Sequence, residues 1–110
     1  MVTAEVAAAL PTLILVVLAA VWAVVLAITQ LRCADAAREA ARAAARGEDA
    51  AIVREVAEEV APEGATVKLD SSTDGMLTVE VRARLPIPGP IDGSIPATVR
   101  GRAVALLESR

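Results

Sequence analysis

The chain has 110 residues, 55% of them hydrophobic, and a formal net charge of -3. That length allows one domain, and a mean hydropathy of +0.55 is high for so small a chain. With no His, Tyr or Phe, one tryptophan (Trp22) and one cysteine (Cys33), the composition excludes imidazole catalysis, imidazole metal ligation, aromatic stacking on single strands and an internal disulfide, and the acidic balance supplies no field for duplex binding. No catalytic role, metal, cofactor, nucleic acid or small-molecule substrate is expected, and a membrane or assembly role is.

From Val6 to Leu31 no residue is charged, and only Pro11, Thr12, Thr29 and Gln30 interrupt the apolar run. A bilayer span needs roughly 20 apolar residues, whereas a secretory signal has a core of about 7 to 15 after a basic segment. Met1 to Glu5 contain no Lys or Arg. The run therefore predicts a membrane span over about 6–31 rather than a cleaved signal. The stretch LRCADAAREAARAAAR from Leu31 to Arg46 has no Gly or Pro and is rich in the strongest helix former. One helix from about Val2 to Arg46 is expected, roughly 68 Å long at 1.5 Å per residue, so that about half of it projects as a polar stalk.

Along the stalk Arg38, Arg42 and Arg46 recur every four residues, with Asp35 and Glu39 within a turn. The stripe reads as a solvated face or as a contact for a neighbour. Alanines form ladders at Ala36, Ala40 and Ala44, at Ala37, Ala41 and Ala45, and within the apolar run at Ala19, Ala23 and Ala27. Small residues at that spacing let helices approach closely. High-GC coding also enriches alanine, and ten Arg against one Lys fits that origin.

Gly47 stops the first helix, and Glu48 or Asp49 caps a shorter one with apolar positions Ile52, Val53, Val56, Ala57 and Val60, ended by Pro62. The period then changes to two. Ala65, Val67 and Leu69 alternate with Thr66, Lys68 and Asp70; the cluster Ser71 to Gly75 turns the chain; Leu77, Val79, Val81, Ala83 and Leu85 alternate with Thr78, Glu80, Arg82 and Arg84. The segment Pro86 to Pro96 holds four prolines and is expected as an extended loop. Alternation resumes from Ala97 to Glu108, and between Val104 and Leu107 both faces are apolar, which predicts cover by another element. The expected class is α+β: a long N-terminal helix, a short second helix and a three-stranded antiparallel sheet packed by the short helix or the stalk. Residues 1–46 form span and stalk, and 47–110 a small headpiece.

Glu5 is the one ionisable residue at the mouth of the apolar run. It reads as an interfacial charge favoured by the helix macrodipole, or as a carboxylate awaiting a positive partner in the membrane. A Glu ahead of an apolar helix, a proline six positions later (Pro11) and the alanine-rich run CADAAREAARAAARGED resemble the TadE-like pilins and pseudopilins of the tight-adherence (Flp-type, type IV-related) pilus system, in its high-GC Gram-positive form. The resemblance is strongest over Thr3 to Asp49. It implies a single-pass subunit of the cell membrane, cut by a prepilin peptidase where a leader exists and drawn into or onto a pilus at the cell surface. It also implies that Glu5 pairs with the N-terminal amine of a neighbouring pilin or pseudopilin, an amine carried by Met1 if Met1 is the first mature residue.

The family's basic leader is not in this sequence, which predicts either a processed form or a start placed too far downstream. Without that leader the arginines after the span put the headpiece inside the cell by the positive-inside rule; with it the count reverses and the headpiece lies outside, as in the family. Cys33, just past the span, is expected to pack as a small hydrophobe, with lipidation or an intermolecular disulfide as alternatives. The acid-rich second helix reads as a solvated face or as a partner for a neighbour's arginine stripe. The leading expectation is a minor pilin or pseudopilin, and the alternative is a single-span envelope protein whose headpiece binds a partner without forming a filament.

Overall fold

A computed structural model describes residues 3–72, 74–87 and 95–107. It shows the expected α+β architecture in an elongated body of 78 × 24 × 22 Å. Helix α1 runs from Ala4 to Ala45, α2 from Ala50 to Val60, and strands β1 (Thr66–Ser71), β2 (Met76–Ile87) and β3 (Ile95–Leu106) form one antiparallel sheet with β2 in the middle.

Helix α1 begins at Thr3, whose Oγ1 accepts a hydrogen bond from the Val6 amide at 3.4 Å, and continues through Pro11. It ends as its sequence demands. Gly47 takes φ of 87°, the Gly47 amide donates to the Ala44 carbonyl at 3.0 Å and the Glu48 amide to the Ala43 carbonyl at 3.2 Å, the paired bonds of a glycine-closed helix end. Asp49 occupies the N-cap of α2 through its backbone, with no side-chain cap bond. Pro62 lies two residues past the end of α2.

The two halves of α1 have opposite environments. All its buried residues lie between Thr29 and Ala44, where the helix lies against β2, β3 and α2. The ladder Ala36, Ala40 and Ala44 and the alanines Ala37, Ala41 and Ala43 are in the core. Alanine brings the helix axis close to its neighbours, so that Val53 and Ala57 of α2 and Val67, Val79, Val81, Ala83 and Ala105 of the sheet complete one small aliphatic core. The expected stalk packs the sheet and forms the spine of the headpiece. Both α1 and α2 cover the sheet, α1 over β2 and β3 and α2 over β1.

Strand alternation follows the expected faces: Val67, Val79, Val81, Ala83, Gly101 and Ala105 are buried, while Lys68, Arg82, Arg84, Thr98, Arg100 and Arg102 are exposed. Two expectations are corrected. Pro86 and Ile87 belong to β2 and Ile95 and Pro96 to β3, with Pro86 opposite Pro96 in register, so the expected extended loop is strand at both its ends; its middle, 88–94, lies outside the described residues. Antiparallel partners alternate between exchanging two amide bonds and none, and two facing prolines fit the second kind without loss. Strand β1 pairs no further along β2 than Arg82, so Pro86 interrupts no second ladder. The other correction concerns Val104 and Leu106, which no element of the described chain covers: they are 56% and 71% exposed.

Candidate functional site: an exposed apolar helix on a small headpiece

From Val6 to Ile28 helix α1 carries almost nothing but apolar side chains, and they face outward. Leu13, Ile14, Leu15 and Val16 are each 59–65% exposed, and an 18-residue window reaches a mean hydropathy of 2.8 with 6% of it buried. The helix is long and apolar enough to cross a membrane: the 26 residues from Val6 to Leu31 rise about 39 Å against a hydrocarbon thickness of about 30 Å. So much aliphatic surface left open to water is unfavourable by roughly 25 cal/mol per Å2, which marks this half of α1 as a membrane or partner contact.

Glu5 lies in the first turn, exposed, one residue inside the helix. Its position beside unpaired amides favours a negative charge, and it has no ion-pair partner among the described residues. Met1, its expected counterpart in a neighbour, lies outside the described residues. Ala19, Ala23 and Ala27 are exposed along the same half of the helix, open to another helix.

The arginine stripe is locally satisfied. Arg38 lies 3.8 Å from Asp35, Arg42 2.9 Å from Glu39 and Arg46 3.5 Å from Glu48, all on exposed side chains. Pairs of this kind contribute about 0.2–1 kcal/mol each and neutralise the stripe. Cys33 is fully buried, and burial raises its thiol pKa while the charge of Arg32 opposes the rise. A protonated, enclosed thiol behaves as the small hydrophobe that its position suggests.

The joint between the apolar half of α1 and the headpiece is built by Gln30 and Gly101. Gln30, an interruption of the apolar run, lies beside the free edge of β3: its Nε2 donates to the Arg100 carbonyl at 2.6 Å and its Oε1 accepts from the Arg100 amide at 3.2 Å. The side-chain amide replaces a neighbouring strand at that position. One residue on, Gly101 lies against the α1 backbone so closely that a Cβ would strike the carbonyl group of Cys33 and the amide nitrogen of Ala34. A lone Gly in an alternating strand is a sequence sign of such an approach. On the opposite edge Arg54 of α2 donates to the Val67 carbonyl of β1 at 2.7 Å.

Among the described residues no three His, Cys, Asp or Glu side chains gather as a metal site. A shallow depression of about 420 Å3, lined by Gly64, Thr66, Arg82, Arg84 and Thr98, opens on the outer face of the sheet. Comparison of the chain with known protein families, with curated proteins and with solved structures returns no match.

Proposed function

We propose that this chain is a membrane-inserted, pilin-like structural subunit, a minor pilin or pseudopilin of a tight-adherence type IV-like pilus, with no catalytic role. The observation that carries the reading is the division of α1: one unbroken helix is apolar and exposed over its first half and forms the headpiece core over its second. A removable signal is a poor fit to that arrangement. Cleavage after the apolar run would fall inside the helix, at the contact of Cys33 and Ala34 with Gly101. A subunit that must pass from bilayer to filament needs the opposite, a headpiece rigidly continuous with its anchor.

In this reading the apolar half of α1 spans the membrane, with the headpiece on its extracytoplasmic side, and later packs against other subunits through Ala19, Ala23 and Ala27. Glu5 sets the register. A carboxylate and an ammonium are each expensive in an apolar medium, and a filament in which every subunit supplies both satisfies them between neighbours.

The test is co-purification of two differently tagged full-length copies from the native host's membranes, with pilus formation scored in parallel. The wild-type copies are expected to co-purify, and Glu5→Gln to remain membrane-inserted while losing both the partner copy and the pilus. If Glu5→Gln leaves co-purification and pili unchanged, the subunit reading fails and a single-span envelope protein, with a partner-binding headpiece, takes its place.

A further inference from the structure

The sheet turns one face to the core and the other outward, and the outward face concentrates positive charge in a chain whose net charge is -3. Lys68, Arg82, Arg84, Arg100 and Arg102 are exposed there, against two carboxylates, Asp70 and Glu80. Glu80 is already engaged by Arg82 at 2.5 Å and lies 3.9 Å from Arg100. Lys68, Arg84 and Arg102 have no ion-pair partner among the described residues. At one end the same face becomes apolar, with Met76 opposite Leu106 and Val104 opposite Thr78; Met76, Val104 and Leu106 are 37%, 56% and 71% exposed.

The complementary surface is on α2. Val53 and Ala57 face the core, so Glu55, Glu58 and Glu59 face outward, exposed and without an ion-pair partner among the described residues. Ile52 heads this stripe, 43% exposed. The spacings agree. On α2, Glu55 and Glu59 lie about 4.5 and 10.5 Å along the axis from Ile52. On β3, outward residues recur every ~6.8 Å, so Arg102 and Arg100 lie about 6.8 and 13.6 Å from Val104. With Ile52 over Val104, each carboxylate falls about 2–3 Å from its arginine along the strand, well within the length of an arginine side chain.

We propose that the outer face of the sheet is the docking site for α2 of a second copy of this chain, Ile52 meeting the Val104 and Leu106 patch and Glu55 and Glu59 meeting Arg102 and Arg100. The chain's own α2 does not occupy this face, because it packs against α1 and β1 on the core side. A lipid surface is a poorer occupant. Strand β3 meets Gln30 at Arg100 and Cys33–Ala34 at Gly101, so it runs in the same sense as α1 and carries the Val104 and Leu106 end away from the apolar half of the helix. Because the two surfaces differ, the contact is head-to-tail and repeats without closing unless its rotation happens to form a ring. The proposal rests on the assembly reading above and names the headpiece contact that assembly uses.

The test uses full-length chains carrying Glu59→Cys or Arg100→Cys, co-reconstituted in phosphatidylcholine vesicles under mild oxidation; native Cys33 is fully buried and the wild type reports its background. A disulfide heterodimer is expected only when both variants are present. Adding Arg102→Glu to the Arg100→Cys chain should lower its yield about ten-fold, and adding Glu55→Arg to the Glu59→Cys chain should restore it, which a misfolded sheet would not do. About 1 M salt should also lower the yield of the original pair. A yield no higher than in single-variant controls, or one indifferent to charge reversal and salt, overturns the proposal. So does protection of Arg100→Cys from a water-soluble maleimide by phosphatidylglycerol with no heterodimer in either lipid, which assigns the face to lipid. Loss of the cross-link while Glu5-dependent co-purification persists overturns this contact alone; loss of both overturns the assembly reading as well.

Discussion

Replacing Gly101 by alanine should separate the headpiece from its helix. In an ordinary strand the change is favourable, since glycine costs conformational entropy and packs nothing. Here the added Cβ meets the carbonyl group of Cys33 and the amide nitrogen of Ala34. Backbone in the middle of a 42-residue helix has no rotamer by which to give way, so α1 must lift by about 1 Å across β3 to restore ordinary contact. Overpacking costs about 1–3 kcal/mol, and an obstacle made of backbone places this site at about 2–3 kcal/mol. A folded unit of some 80 residues has a total stability of about 4–12 kcal/mol, so the loss is a large share. The assay is amide hydrogen exchange of the full-length chain in detergent micelles, read at Val79 and Val81 of the central strand. Protection there should fall about 30- to 150-fold. A control at Gly64, where nothing lies within 4 Å of a Cβ but φ is +77°, should cost about 1 kcal/mol through strain alone. Protection in Gly101→Ala equal to or above wild type would refute the close approach of helix and strand.

Gln30→Ala removes both side-chain bonds to Arg100 and should destabilise the headpiece by about 1–2 kcal/mol, with exchange accelerated first at the β3 edge; Gln30→Glu, which keeps the acceptor but sets a carboxylate oxygen against the Arg100 carbonyl, should cost at least as much. Glu80 titrates below the ordinary carboxylate range, chiefly through its hydrogen bond from Arg82, with Arg100 and Arg102 adding their charge. Its folded-state value is lower than its unfolded one, so its contribution is complete above the ordinary carboxylate range. That contribution fades as the pH falls below this range and is gone beneath the lowered folded value. Hydrogen exchange followed from neutral to acid pH, corrected for intrinsic rates, should show a shallower loss of protection in Glu80→Gln than in wild type. Equal slopes would remove Glu80 from the acid response.

The division of labour between sequence and fold is clearest at α1. Its apolar run, its continuation to Arg46, its stop at Gly47 and the inward residues of each strand are all periodic or local signals, and α1, α2 and the antiparallel sheet were legible from them. Glu5 stands out in sequence for the same reason, as an isolated charge against an apolar background. Local signals do not say what an alanine faces. Ala36 and Ala40 read as a helix-packing ladder, yet sheet and α2 both cover that face. The prolines at 86 and 96 read as loop because their compatibility with pairing depends on the residue opposite.

The sequence by itself determined that one half of α1 is apolar enough for a membrane and that a small alternating sheet follows, because hydrophobic period is a property of consecutive residues. Only the tertiary structure decided that the other half of α1 is the headpiece's core and that Gln30 and Gly101 join it to β3. It alone showed Arg84 and Arg102 on one face and the outward acids of α2, without ion-pair partners among the described residues, as separate surfaces. Those facts depend on which residues distant in the chain come within a few ångströms, and no periodicity encodes that.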